Sequence, residues 1–173
     1  MLTGPIPLGE TRRTVATNFR RIYLQGIPLL LRDNGAFLAF ICCLTAMEAL
    51  GGFIRPAPGN GARFRAFATR YMPAPLKHQA DELWMLRNAA VHGFSPGPYA
   101  LTHHNSHLHL TRTHGRLILN AEDFYQALRT AAEAYFEHLA SDEQLQKAFL
   151  TRINDPKTGL MITATSDSDT WQP

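Results

Sequence analysis

Apolar residues recur along this chain with two different periods. Val15, Phe19, Ile22 and Gly26 are spaced i, i+4, i+7 and i+11 with arginines between them, which predicts an amphipathic helix that Pro28 ends or bends. A second, almost wholly apolar helix is expected from Ala36 to Leu50, capped by Asp33 and Asn34 and stopped by Gly51-Gly52. Pro56 to Gly61 reads as a loop, and Ala62 to Tyr71 as a short basic helix closed by Pro73. A fourth helix is expected to start near Pro75, where a missing N–H is harmless, and to run to His92, with Gly93 as its left-handed terminator.

After Ser95-Pro-Gly-Pro the period shortens to two. Tyr99, Leu101 and His103, then Leu108 and Leu110, then Leu117 and Leu119 alternate between turn-forming clusters, the pattern of a small antiparallel meander. Helical spacing returns with Phe124, Leu128, Ala131, Tyr135 and Leu139, behind Asn120 as a cap, and Ser141 can cap a continuation to about Ile153. The expected fold is therefore an all-α antiparallel bundle of four main helices with a β-hairpin or meander insertion at about 99–119. Residues 1–10 read as an extended segment, 11–154 as one domain, and 155–173 as a flexible tail rich in Gly, Ser, Thr and Asp.

Charge adds an asymmetry that the period does not show. Residues 1–92 hold eleven basic and five acidic side chains, and residues 93–173 hold six and nine. Arg12, Arg13, Arg20, Arg21, Arg63, Arg65 and Arg70 can make a basic face that attracts a polyanion, or simply a solvated helix exterior. The two cysteines, Cys42 and Cys43, are adjacent on one apolar helix and point about 100° apart, so they are expected as reduced core thiols in a cytoplasmic protein. No charged-then-apolar leader pattern opens the sequence. Ala36 to Ile54 has the length of a membrane span, but Glu48 and its small residues favour a buried core helix, and no membrane association is expected.

Chemistry concentrates in one place. Leu83 to Val91 is apolar at seven of nine positions; the exceptions are Arg87 and Asn88, and His92 follows directly. On a buried helix each of these polar groups needs a partner, so Arg-Asn-Ala-Ala-Val-His is the candidate site. Asn88 and His92 share a helical stripe, with Trp84 one turn earlier, whereas Arg87 lies roughly 140° from His92 by helical rotation. One helix therefore aims both groups at a common point with difficulty. Two copies facing each other across a two-fold axis do so more easily, and a homodimer is expected.

These residues resemble the hallmark of the HEPN superfamily, Arg-x4–6-His late in a bundle helix, often with Asn directly after the Arg. Arg87, Asn88 and His92 match it, with Gly93-Phe-x-Pro following; the bundle likeness would cover about residues 12–140. The resemblance implies metal-independent RNA cleavage in which the 2′-hydroxyl attacks the adjacent phosphate. His92 would be the acid/base, Arg87 the clamp on developing phosphorane charge, and Asn88 the group orienting phosphate or imidazole. Glu48, an acid in an apolar helix, would hold Arg87, while Arg63, Arg65, Arg70, Arg112 and Arg116 would bind RNA. No cofactor or metal is expected, and a restraining partner protein is left unidentified. The contrasting reading is that Arg87 merely pairs with Glu48 or Asp81 and His92 caps its own helix, in a module that binds RNA, a nucleotide or a protein without cleaving.

Other constellations are weaker. His103, His107 and His109 could offer three nitrogens to a metal, with His104 and His114 nearby, but no acidic or cysteine ligand accompanies them in the run, and a polar strand face is preferred. No Gly-rich loop precedes a helix and neither Ser95 nor Ser106 lies in a Gly-x-Ser-x-Gly context, which disfavours nucleoside-triphosphate and serine-hydrolase chemistry. Trp84, Phe94 and Tyr99 can either stack on bases or belong to the core.

Overall fold

A computed structural model of the chain describes residues 8–32, 34–56 and 59–155. The expected cap by Asp33 and the expected flexible tail after Asp155 lie outside these residues. Helix α1 (Leu8–Phe19) starts inside the segment read as extended, and a π-helical turn (Arg20–Leu24) prolongs it. Arg12 donates to the carbonyls of Leu139 and Ala140, and Arg20 pairs with Glu133, so both arginines tie this first helix to the body of the protein. Pro28 does not end a helix; it lies in the first turn of α2 (Ile27–Leu31), where its missing N–H costs nothing.

Helix α3 (Ala36–Ile54) is the hub. Phe40, Cys43, Leu44, Met47 and Leu50 are buried along it, and it packs against α4 (Asn60–Tyr71), α6 (Ala80–Gly93), α7 (Ala121–Ser141) and α8 (Glu143–Asn154). It is the one helix among the described residues long and apolar enough to cross a membrane, and more than half of it is buried within the protein. Neither of the side-chain caps expected for it is made by a described residue, since Gly35 occupies the N-cap without a side-chain bond.

Gly51-Gly52 was expected to stop α3, yet the helix continues to Ile54. The reason is tertiary. A Cβ on Gly51 would stand 1.9 Å from the Arg63 carbonyl oxygen, so bare backbone at this position is what lets α4 approach. Interior glycine costs roughly 1 kcal/mol in helix propensity, and close packing offsets it.

The expected fourth helix is divided. A single turn, α5 (Ala74–Lys77), precedes α6, and Gln79 holds the break by donating to the Pro75 carbonyl and accepting from the Tyr99 hydroxyl. Gly93 remains helical and Phe94 takes the left-handed conformation, at φ 47° and ψ 44°. Aromatic residues rarely adopt that region.

The insertion is a mixed sheet and not an antiparallel meander. Strands β1 (Tyr99–Thr102), β2 (Arg112–Thr113) and β3 (Arg116–Asn120) lie in the order β1-β3-β2, with β1 parallel and β2 antiparallel to β3. The alternating residues around Leu108 form a 3-10 turn (Ser106–Leu108) instead of a strand, because His104 and Leu110 at positive φ interrupt the extended path. The tight turn at His114-Gly115, both at positive φ, then feeds β3 between the other two. Ile118, Leu119 and Asn120 on this central strand are buried.

Asn120 precedes α7 as expected but caps nothing with its side chain. Instead it accepts from the Asn105 amide and donates to Glu122 and Asp123. Glu122 also receives the His104 backbone N–H and its ring, and Asp123 the Ser106 hydroxyl, so the start of α7 clamps the insertion. Helix α8 is capped one residue later than expected, by Asp142 accepting from the amides of Gln144 and Leu145.

Two outcomes follow from these contacts. Gly51→Ala, which helix propensity alone would favour, should destabilise the protein by about 3 kcal/mol through overpacking against α4; a melting temperature equal to or above that of the parent would contradict the close approach. The second concerns His109, whose Nδ1 accepts the Asn120 N–H and whose pKa is lowered by burial against an opposing pull from Asp123. Because the folded pKa lies below the ordinary value of about 6.5, this stabilisation is present above that pH and is lost as pH falls through the folded value. Melting curves between pH 7.5 and 5 should therefore fall more steeply for the parent than for His109→Gln, and parallel profiles would refute the assignment.

Candidate active site

Helix α6 is less buried than its composition suggests. Leu83, Leu86 and Ala90 enter the core, but Met85 is 50% exposed, Val91 is exposed, and Phe94 just beyond is 84% exposed, its ring touching Phe37 edge-on. Arg87 and Asn88 lie between these faces, half-buried, and His92 is exposed at the last turn.

The guanidinium of Arg87 is the centre of the arrangement. Its Nε is 2.9 Å from Glu48 Oε2 on α3, with the two side chains 15% and 17% exposed. The atoms are not aligned as a hydrogen bond, so the attraction is chiefly Coulombic. On its other side, Nη1 is 3.3 Å from Asn88 Oδ1 and 3.3 Å from His92 Nε2. The plane also stands over the Trp84 ring at 5.3 Å, which Arg65 covers at 5.8 Å while its own charge pairs with Asp81.

This geometry corrects the rotational argument for two copies. Arg87 and His92 meet within one chain: five residues of helix rise only about 7.5 Å, and the long arginine side chain curls along the helix to reach the ring at its last turn. With the imidazole neutral, Nε2 can accept from the guanidinium, leaving the other ring nitrogen as donor.

Behind Arg87 lies a cavity of about 160 Å3, lined by Thr45, Glu48, Ala49, Arg63, Arg87 and Arg152. Four helices contribute to it: α3, α4, α6 and α8. Arg63, expected to bind RNA, belongs here, with Nη2 also reaching the Pro56 carbonyl. Arg152 was not anticipated. Its side chain lies against bare backbone at Gly52, and burial, then the neighbouring Arg63, holds its pKa below the ordinary guanidinium value, with Asp155 opposing. The signal was in the period: Arg152 falls three residues after Phe149 and seven after Leu145, on the buried stripe of α8.

The remaining arginines named from the sequence do not line this cavity. Arg70 pairs with Asp142 at 3.0 Å and covers Tyr71, Arg112 donates to the Gly115 carbonyl of its own hairpin, and Arg116 is exposed at the start of β3. Tyr99 is fully buried and cannot stack on a base, whereas Trp84 is partly accessible and Phe94 largely so. Among the described residues no three His, Cys, Asp or Glu side chains converge as metal ligands; His104 and His109 instead bond within the clamp around Asn120. Cys42 and Cys43 are free thiols, and burial raises the pKa of both. Chemically, the site offers a held guanidinium, an amide and an exposed imidazole at one point, backed by a basic cavity. No family model, curated protein or solved structure matches the chain.

Proposed function

We propose that the chain is a HEPN-type, metal-independent endoribonuclease of the cytoplasm, with Arg87, Asn88 and His92 as the reacting constellation. The observation that carries this reading is the 3.3 Å approach of the Arg87 guanidinium to the His92 ring, at a point where the ring is exposed and the guanidinium is anchored by Glu48. As the phosphate draws the Arg87 guanidinium off His92 Nε2, the freed lone pair of the neutral imidazole takes the proton of an RNA 2′-hydroxyl while that oxygen bonds to the adjacent phosphorus. The bond from phosphorus to the 5′-oxygen breaks, and the departing oxygen is protonated, leaving a cyclic phosphate and a 5′-hydroxyl. Arg87 faces the charge that accumulates on the non-bridging oxygens, and Asn88 fixes the guanidinium beside them.

The reaction needs one group that accepts a proton and one that donates. A second copy supplies the second imidazole, and the exposed Met85 and Val91 on α6 with Phe94 after it give two copies an apolar surface to share. The dimer thus enters through proton accounting and apolar exposure, since one chain already assembles the Arg–His pair.

Incubation with single-stranded RNA tests the reading. His92→Ala should lower the cleavage rate by at least about 100-fold with RNA binding nearly unchanged, and EDTA should have no effect on the parent. Cleavage that persists in the variant, or that chelation abolishes, would refute it. Binding of RNA with no cleavage by the parent would instead assign a non-catalytic module.

A further inference from the structure

A second pocket opens between the start of α3 and the end of β1, and the reaction above makes no use of it. Phe37, Phe40 and Leu101 give it apolar walls, and Asn34, Thr102 and His103 supply polar ones. Among the described residues no Asp, Glu, Lys or Arg lines it, so it suits a neutral group and not a phosphate. Its volume of about 290 Å3 lies at the foot of the roughly 300–1,000 Å3 range of pockets that enclose small ligands, room for one flat ring system and not for a whole nucleotide. We propose that this pocket seats one nucleobase of the RNA strand, beside the bond cleaved at His92. The inference deepens the cleavage reading and rests on it for the identity of the strand.

Position supports this occupant. Phe94 follows His92 by two residues and its ring meets Phe37 at 4.7 Å, so one aromatic contact joins the end of the candidate site to the wall of the pocket. Polar chemistry supports it as well. His103 Nδ1 is buried with no hydrogen-bond partner among the described residues, an unfavourable state that a base, with donors and acceptors on its ring edge, relieves. The Thr102 hydroxyl accepts from Asn105, which leaves its own proton to donate. Asn34 is exposed, and its amide is not spent as a cap on α3. Strand β1 is an outer strand, paired in the sheet with β3 alone, so backbone polar groups along its other edge have no partner in the sheet. Single-stranded RNA presents unstacked bases, and aromatic walls with a few polar edges are what hold them.

Free nucleosides carry no phosphate for Arg87, so thermal melting of the full chain with each of adenosine, cytidine, guanosine and uridine, against ribose at equal concentration, reads the pocket alone. At least one nucleoside should raise the melting temperature of the parent, and ribose should not. Leu101→Trp, which fills the pocket, should abolish the shift. His103→Leu and Asn34→Ala should each weaken it several-fold, and His92→Ala should respond as the parent does. Near-UV circular dichroism checks that each variant is folded, and Asn34→Ala, at an exposed position, carries the test should the others not be. An oligonucleotide 2′-O-methylated at all but one ribose is cleavable at a single bond and relates the pocket to the reaction. The parent should cleave it about tenfold more efficiently when both flanking nucleotides carry bases than when one of them is abasic, and Leu101→Trp should cleave the two forms equally. Nucleoside shifts lost in the pocket variants, without cleavage of any RNA by the parent, would support the base pocket and refute the cleavage reading. Cleavage indifferent to the abasic substitution, no nucleoside shift beyond that of ribose, or equal shifts in the parent and the pocket variants would overturn the proposal.

Discussion

A guanidinium that is only 15% exposed must keep its charge matched, and in this protein the match is Glu48 on the neighbouring helix. Such a pair contributes little net stability, because desolvating two ions cancels much of their attraction. Its effect is on direction. With Nε committed to α3, the Nη1 edge of Arg87 points to Asn88 and His92, and the face lies over Trp84. The position of the candidate site thus depends on α3 and α6 being fixed relative to each other, and less on any property of α6 alone.

That constraint explains the character of α3. A helix packed against α2, α4, α6, α7 and α8 needs small residues where backbones come close and one charge where a partner demands it. Gly51 and Gly52 meet the first requirement, one against α4 and the other against Arg152 of α8, and Glu48 meets the second. The three lie within a single turn and a half. The same short stretch therefore admits α4, seats Arg152 and anchors Arg87, which makes it the joint on which both the cavity and the Arg–His pair are built.

What could be read from the sequence divides along physical lines. Helix type followed from local period, and the stripe of Phe124, Leu128, Ala131, Tyr135 and Leu139 is buried on α7 as the spacing implied. Boundaries depended on local competition and shifted: Asp142 caps where Ser141 was expected, and Phe94 carries the left-handed turn one residue after Gly93. Pairing within the sheet was not legible, because parallel contact between β1 and β3 arises from a hairpin folding back between strands, a long-range event that alternation does not encode. Gly51 was misread because propensity treats interior glycine as a stop, whereas its use here is set by a residue on another helix. Arg87, Asn88, His92 and Glu48 stood out as polar breaks in apolar runs, and the structure brings them together; Arg152 obeyed the same rule on α8 and was passed over because that helix is amphipathic and its charges are numerous.

Phe94 shows how the end of α6 is held against its own preferences. A bulky residue at positive φ carries strain of order 1–3 kcal/mol, and most of this ring is left in solvent. One edge contact with Phe37 is its aromatic packing within the chain. Glycine, one residue earlier, could have taken the turn at no steric cost but stays in the helix, which keeps His92 inside the last turn, where the Arg87 side chain still reaches its ring. Shifting the turn back to Gly93 would place His92 at the frayed terminus and loosen the contact. The backbone strain at Phe94 and the meeting of guanidinium with imidazole are in this sense one feature: the helix is extended by a residue past its natural stop, and the residue gained is what holds the histidine in register.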